Sequence, residues 1–497
     1  MKKNILTTCL LLTTIFNAFA QQAYYDTTFG VNGMVALTNI NAPGLSTSQF
    51  GKIIKHGNSI YTIINNSSTT STISKYDSNG IKDDNFGLGF SGYNFSIEDA
   101  FQGYLGVTSD DKMIMVNNSF AIYSTNPIED PISYNICRFS LDGTVDTTYG
   151  TNGYAAFNNG QDGMFVLSTD MLQNDDLVIT GYNNNVVFIN KFDANGGLYT
   201  NIGNNGVLTY TFPAGIYPVQ ALYSESGDSV YVGALDLSNG YINSFITKLN
   251  LATGLPDPAF GTNGTLILIN NEHFKRFTLD DADKLFVATV NDSESLLYKY
   301  NSDGTPNADF ANGQAVHIDT NNLYMIRKIA YQDGKVIILS EIDYEAGLEL
   351  YRFNNDGTVD ADFGISGKIY RENTSDVLAF DFLQYDNYIT VGGGYRYSNN
   401  VIYPALYKFL INPDLAATDL HTNDGLILYP NPASESINVK SDFLLEKAEL
   451  YNIAGQLVLI SHLDNNRVDI NSLPKGCYIV KLYGIDGTQH TQKLIKR

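Results

Sequence analysis

The chain has no tryptophan, three cysteines and few charges, with only 16% of its 497 residues charged. Cys9 lies in the N-terminal apolar stretch, which leaves Cys137 and Cys477. The two fall in segments of different character, so no disulfide between them is expected. No Cys-x-x-Cys or Cys/His cluster suggests structural zinc. The six histidines, at 56, 273, 317, 421, 462 and 490, show no metal-ligand spacing, and Asn271-Glu272-His273 lacks the second histidine of a zinc-protease helix. No Gly-x-Ser-x-Gly elbow appears. Basic residues are also scarce, 30 against 52 acids, and the net charge of −22 argues against nucleic acid and anionic lipid, both of which need a cationic face. Beyond the N-terminus no run reaches the roughly 18 apolar residues needed to span a bilayer, so no transmembrane segment is expected. A helical apolar period is missing as well. The 43% hydrophobic and 12% aromatic content, with 34 tyrosines, excludes a disordered chain.

The first twenty residues, MKKNILTTCLLLTTIFNAFA, combine Lys2 and Lys3 with an apolar stretch from Ile5 to Phe19 and small residues at Ala18 and Ala20. This is the pattern of a secretory signal peptide cleaved after Ala20. Cys9 has no lipoprotein box before it.

Between the leader and the C-terminal region one phrase recurs, Asp-x-x-Phe-Gly-x-x-Gly. It begins at Asp26, Asp83, Asp146, Tyr199, Asp257, Asn307 and Asp360. The intervals are 57, 63, 53, 58, 50 and 53 residues. A second phrase ends a strand-like run: KYDSNG, RFSLDG, KFDANG, KLNLATG, KYNSDG, RFNNDG and, last, KFLINPD. A third is a polar turn followed by an apolar strand, from SIYTIIN to NYITVGG, again in seven copies. Each repeat has room for four short strands. Such a tandem fits a seven-bladed β-propeller of four-stranded blades over residues 21–415; an open β-solenoid is the alternative. The innermost strand and the way the ring closes cannot be read from the phrases.

The phrase resembles the delta-60 repeat family of bacterial extracellular proteins, which implies a propeller from about Asp26 to Pro413 and carries no established activity with it. Two repeats depart from it. Tyr199 and Ile202 replace Asp and Phe in the fourth, and Ala311 replaces glycine in the sixth, so those blades are expected to close differently. The remaining members, Asp26, Phe29, Gly30, Asp83, Phe86, Gly87, Asp146, Tyr149, Gly150, Asp257, Phe260, Gly261, Asp360, Phe363 and Gly364, are expected to be structural. Asp can cap an Asx turn, the aromatic ring can wedge between blades, and glycine allows positive φ.

From about Leu426 the charge balance changes. The last 72 residues carry 8 basic and 7 acidic residues, against 20 and 45 in the central region. A linker at 416–425 and a separate module at 426–497 follow. Short β-rich runs separated by YPNP, IAGQ, LPKG and IDGT turns predict a small immunoglobulin-like β-sandwich. The matching features are Tyr429-Pro430-Asn431-Pro432, Leu450-Tyr451-Asn452 with Gly455, Leu473-Pro474-Lys475-Gly476 before Tyr478, and a basic end from Lys493 through Lys496 to Arg497. Together they resemble the type A C-terminal sorting domain of the type IX secretion system of Gram-negative bacteria. The resemblance implies the secretion machinery as partner, passage across the outer membrane, and release or attachment at the cell surface. Cys477 stands where the family pattern leads one to expect a small residue or threonine.

No cofactor is expected. The SNG, LDG, SDG and NDG turns could hold calcium, but they lack the spaced oxygens and terminal glutamate of an EF-hand loop and read as hairpin turns. Asp280, Asp281 and Asp283, the densest acid cluster, read as a solvated turn. Gly87-x-Gly89-x-x-Gly92 matches a dinucleotide fingerprint by spacing but has no helix after it. Binding candidates sit where repeats differ: Tyr123 and Tyr134 in the longest interval, and Tyr395, Arg396, Tyr397 and Tyr403 among glycines near the last repeat. Tyrosine rings on such loops suit stacking against sugars or peptides. Catalytic residues cannot be named. The reading is a secreted or surface propeller that binds an extracellular glycan, matrix component or protein without catalysis. The alternative is a polysaccharide hydrolase or lyase with its site at one mouth of the ring.

Overall fold

The computed structural model describes residues 24–31, 33–37, 49–67, 70–86, 88–91, 104–119, 133–158, 165–238, 243–268, 273–291, 294–318, 326–342, 347–372, 377–385, 387–396, 402–411, 427–429, 431–441, 445–452, 456–463, 466–484 and 489–497. The leader and the linker lie outside them. The chain forms two compact units, Met1–Asn412 and Pro413–Arg497. Among the described residues the structure is all-β, with one 3-10 turn at Ala311–Gly313. No helix among them is long and apolar enough to cross a membrane.

The first unit contains, among the described residues, seven four-stranded antiparallel sheets. Sheet one joins Gln49–His56, Ser59–Ser67, Thr70–Asp77 and Leu88–Ser91 in sequence order. Sheets two to six repeat the plan, opening with Tyr104–Val107, Phe165–Met171, Ile216–Tyr223, His273–Leu279 and Ile326–Gln332. Sheet seven takes three strands from the C-terminal end of the unit, Val377–Tyr385, Tyr388–Arg396 and Ile402–Leu410. Its fourth strand is Met34–Ala36 from the N-terminal end, with Met34 opposite Tyr407 and Ala36 opposite Ala405. The join is reinforced by Asp26 N–H donating to the Lys408 carbonyl at 3.0 Å and Leu410 N–H to that of Tyr24 at 2.7 Å.

The sheets meet through their first strands. Gln49–His56 contacts the first strands of sheets two and seven, and those of sheets three to seven touch in succession; sheet three reaches sheet two through Lys112–Ser119. The line of contacts returns to its start. We call these first strands the hub. Sandwiching explains why the second strands are continuous apolar runs instead of alternating ones. All six residues of Leu285–Val290 are buried, as are the first six of Ser229–Asp236. A fourth strand such as Thr265–Leu268 alternates.

The second unit has a sheet of Ile427–Tyr429, Ser436–Lys440 and Arg467–Asp469 and another of Leu457–His462, Leu445–Asn452, Gly476–Gly484 and Gln489–Lys496. Ile437, Val439 and Val468 of the first share one apolar core with Ala448, Leu450, Val480 and Leu494 of the second.

Candidate functional site

The recurring phrase builds one device between sheets. In Asp26, Asp83, Asp146, Asp257 and Asp360, Oδ1 accepts the backbone N–H two residues on, at 3.0–3.3 Å, closing an Asx turn. Oδ2 of the same carboxylates meets a cation on the third strand of the sheet: Lys408, Lys75, Arg138, Lys248 and Arg352, at 2.7–3.4 Å. These cations are the Lys or Arg of the second phrase. The phrase aromatic then fills the space between that sheet and the next. Phe29, Tyr149, Phe260, Phe310 and Phe363 are fully buried. Phe29 packs with Val35 and Leu406 of sheet seven on one side and Phe50, Ile53 and Ile60 of sheet one on the other.

The glycine after the aromatic needs positive φ. At Gly364, φ is +58° and a Cβ would lie 2.1 Å from the Lys368 carbonyl oxygen. Ala311 nevertheless holds φ +44°. Its N–H still donates across to the Asp356 carbonyl at 2.9 Å, as Gly261 does to Asp303 at 2.8 Å. The departure is absorbed locally by the 3-10 turn.

Where the phrase lacks its aspartate, the third-strand cation finds another. Lys191 meets Asp176 at 3.0 Å, and the Tyr199 hydroxyl donates to that carboxylate at 3.1 Å. Lys299 meets Asp280 at 3.0 Å, while Asn307 turns to Asn301. The expectation of a solvated turn at Asp280–Asp283 is therefore corrected at two residues. Asp280 and Asp283 are 5% and 7% exposed. Asp283 accepts the N–H groups of Glu225 and Ser226 from the preceding sheet at 2.6 and 3.2 Å. An unpaired buried lysine would be costly, which is why the acid lies beneath it. In the turns of the second phrase the carboxylates accept their own backbone: Asp77 from Asn79 and Ile81, Asp193 from Asn195 and Gly197.

The hub is different. Six of the seven first strands carry a β-bulge at one register, and a polar residue follows it: Lys52, Ser168, Gln220, Arg276, Lys328 and Asp381. Five of these link adjacent sheets. The Gln220 amide donates to the Phe277 carbonyl at 2.8 Å and accepts its N–H at 3.0 Å. Arg276 donates to the Arg327 carbonyl at 3.0 Å, and Lys328 to that of Phe382 at 3.1 Å. Asp381 receives the Lys328 ammonium, the Lys52 ammonium at 3.3 Å and Ile53 N–H at 3.3 Å. Beside them Arg327 pairs with Glu341 at 2.8 Å, and Glu341 also accepts Ala379 N–H at 2.7 Å. The bonds run unbroken from sheet four through five, six and seven to sheet one.

Burial works to raise the Asp381 carboxyl, but Lys328 and Lys52 outweigh it and hold it below its ordinary value. Asp170, two residues beyond Ser168, behaves oppositely. Burial pushes it up to about 6, against the lowering effect of the Ser168 hydroxyl, which donates at 2.9 Å. The phrases gave no hint of this network. Its only sequence signal is a polar residue interrupting an apolar strand at one register.

Of the aromatic candidates, Tyr395 and Tyr403 are cross-strand partners in sheet seven, stacked with centroids 5.4 Å apart. Tyr395 is 8% exposed and belongs to the core, so its ring is not an open platform; Tyr403 packs against that core and is partly buried. Tyr123 and Tyr397 lie outside the described residues, as do Gly87, Pro430 and Gly455, and the side chains of Tyr134, Arg396, Lys493 and Cys477 are likewise outside them. Cys137 is a free, buried cysteine whose thiol is pushed up to about 12 by burial.

In the second unit the YPNP segment and the basic end are stitched together. Asn431 Oδ1 accepts Ile495 N–H at 2.9 Å, Arg497 N–H donates to the Ala433 carbonyl at 2.8 Å, and Lys496 donates to that of Ser434. Gly476 pairs with Lys496 and Ile479 with Lys493 along the last two strands. Tyr429 is half-exposed, and the Tyr478 hydroxyl donates to the Pro474 carbonyl at 2.7 Å.

Residues 427–497 match the family described as secretion system C-terminal sorting domain, and residues 332–363 match a β-propeller domain of unknown function, DUF5122. Among curated proteins the chain is similar to beta-agarase D of Zobellia galactanivorans, 32% identical over 71 residues, which is 14% of each chain. Among solved structures it is similar to PorZ, a surface component of the type IX secretion system of Porphyromonas gingivalis. There the identity is 11%, with 93% of this chain and 61% of that one covered at a TM-score of 0.39. It is also similar to the β-propeller domain of the trilobed protease of Pyrococcus furiosus, at 10% identity, 73% and 93% coverage and a TM-score of 0.39. The chain thus spans 14% of the agarase and 61% of PorZ, less than two thirds of either. With its four-stranded sheets, its propeller repeat and its C-terminal match, it is a β-propeller protein with a type IX secretion system sorting tail, secreted by that route.

Proposed function

We propose that the mature protein, freed of its leader after Ala20, is a seven-bladed propeller over residues 21–415. It is joined by a linker at 416–425 to an immunoglobulin-like sorting sandwich at 426–497, and it binds an extracellular glycan, matrix component or partner protein without turning it over. The observation that supports binding is the hub. Its side chains differ from sheet to sheet yet are locked by bonds between sheets, which gives a rigid and asymmetric polar surface, the kind that recognises a ligand at low ordering cost. The carboxylates of the recurring phrase, by contrast, are engaged in turns and ion pairs. Tyr123, Tyr134, Arg396, Tyr397 and Tyr403 remain candidates for flanking contacts. The sorting domain delivers the protein through the type IX machinery to the medium or the cell surface and takes no part in recognition.

One observation favours the second reading, a polysaccharide hydrolase. Asp170, raised to about 6, has the protonation behaviour of a general acid. The test of both is incubation of the full chain with a panel of extracellular polysaccharides and glycoproteins, scoring retention and new chain ends. Retention without new ends supports binding. New ends that vanish in Asp170→Asn would replace it with hydrolysis, and no retention anywhere on the glycan arm would remove the glycan as ligand.

A further inference from the structure

Deepening the binding reading, and resting on it, we propose that the hub recognises a polysaccharide through anionic groups on its sugars, carboxylate or sulfate. The seven first strands hold six cations, Lys52, Lys55, Lys275, Arg276, Arg327 and Lys328, against two carboxylates, Asp170 and Asp381. The whole chain has 30 basic residues against 52 acids. The basic excess of the hub therefore runs against the composition around it.

The third strands also carry cations, seven in all, spaced one to a sheet and each with an aspartate at 2.7–3.4 Å. They are part of the frame. At the hub the cations cluster by sequence and by contact. Lys275-Arg276 and Arg327-Lys328 lie on adjacent first strands that touch, and Lys328 shares Asp381 with Lys52. Glu341, on a second strand, meets Arg327. The side chains of Lys52, Lys328 and Arg327 are 33%, 26% and 20% exposed. They are fixed in place yet within reach of solvent. Guanidinium and ammonium groups so held favour carboxylate and sulfate oxygens. Two neighbouring basic pairs suit charges repeated along a chain. A sugar polymer with one charge per residue fits better than nucleic acid, since the acidic body of the protein repels it less than a duplex carrying one charge per roughly 1.7 Å.

The test measures affinity of the full chain for polygalacturonate, dextran sulfate, neutral dextran and duplex DNA over a range of salt. We expect one or both of the first two to bind, with affinity falling as salt rises. The double change Lys275→Gln/Arg276→Gln should weaken that binding about tenfold or more. The polyuronate and sulfate arms identify which anion is read. Neutral dextran held as tightly would overturn the anionic inference and leave glycan binding standing. DNA held as tightly as the sugars would overturn the polysaccharide assignment. No retention of any sugar polymer would overturn the inference and leave binding of a matrix component or partner protein standing. A salt-independent wild-type affinity would overturn the inference even if the double variant failed to fold.

Discussion

On the third strand of every sheet of the first unit a lysine or arginine meets an aspartate. Behind the first-strand bulge, the residue changes from lysine to serine, glutamine, arginine, lysine and aspartate. At both positions side chains reach the neighbouring sheet, as Arg138 does to the Ala194 carbonyl and Gln220 to that of Phe277. One is a fixed joint and the other varies around the ring. The aspartate of the joint can even move along the chain, to Asp176 or Asp280, provided that the buried cation keeps an anion. What is constrained there is a charge at a place in space. At the hub, hydrogen bonds to backbone serve as well as ion pairs, so the identity of the side chain is free to serve something else.

The largest break in this comparison should come from the wedge. Phe260→Ala removes a fully buried ring and should cost about 3–5 kcal/mol, read as a lower urea midpoint of the propeller transition. Next comes the joint. Asp360→Asn leaves Arg352, 9% exposed, without its anion, and Asp280→Asn does the same to Lys299. Each should cost about 3 kcal/mol. Adding Asn307→Asp to Asp280→Asn should recover most of that loss, because the phrase aspartate would return to its usual place. No recovery would show that the two acids are not equivalent.

The hub should yield less. Gln220→Ala removes one donor and one acceptor to Phe277 and should cost about 1–2 kcal/mol; a loss as large as that at Asp360 would make the hub a structural joint as well. The smallest effect lies in the sorting domain. Glu449 accepts Lys447 at 2.7 Å, Tyr451 at 2.7 Å and Tyr483 at 2.8 Å, and these bonds lower its carboxyl to about 2 from an ordinary 4.5. A depressed carboxyl stabilises the fold fully above the ordinary value and loses that contribution as pH falls from 4.5 toward 2. Melting curves of wild type and Glu449→Gln should therefore differ at pH 7 and converge near pH 2.

Much of the frame is legible in the residues. Asp146 and Arg138 are eight positions apart, as are Asp360 and Arg352, so both halves of the joint fall in adjacent phrases. Burial of Asp280 and Asp283 is not legible, because it depends on Lys299 above one and on the turn of the preceding sheet beside the other. The stacking role expected of Tyr395 met the same limit. A tyrosine among glycines looks exposed until the facing strand brings Tyr403 across it.

Sequence by itself determined the period of the repeat, the turn geometry of its aspartates, the buried aromatics and the charge step that marks the sorting domain. All of these depend on neighbours within one repeat or on composition. Tertiary structure alone decided the closure through Met34–Ala36 and the hub network. Asp381 and Ile53 stand 328 residues apart, and Asp26 meets Lys408 from the opposite end of the unit. Such pairs exist only once the last sheet meets the first, and no local pattern encodes a partner that the chain reaches by coming full circle.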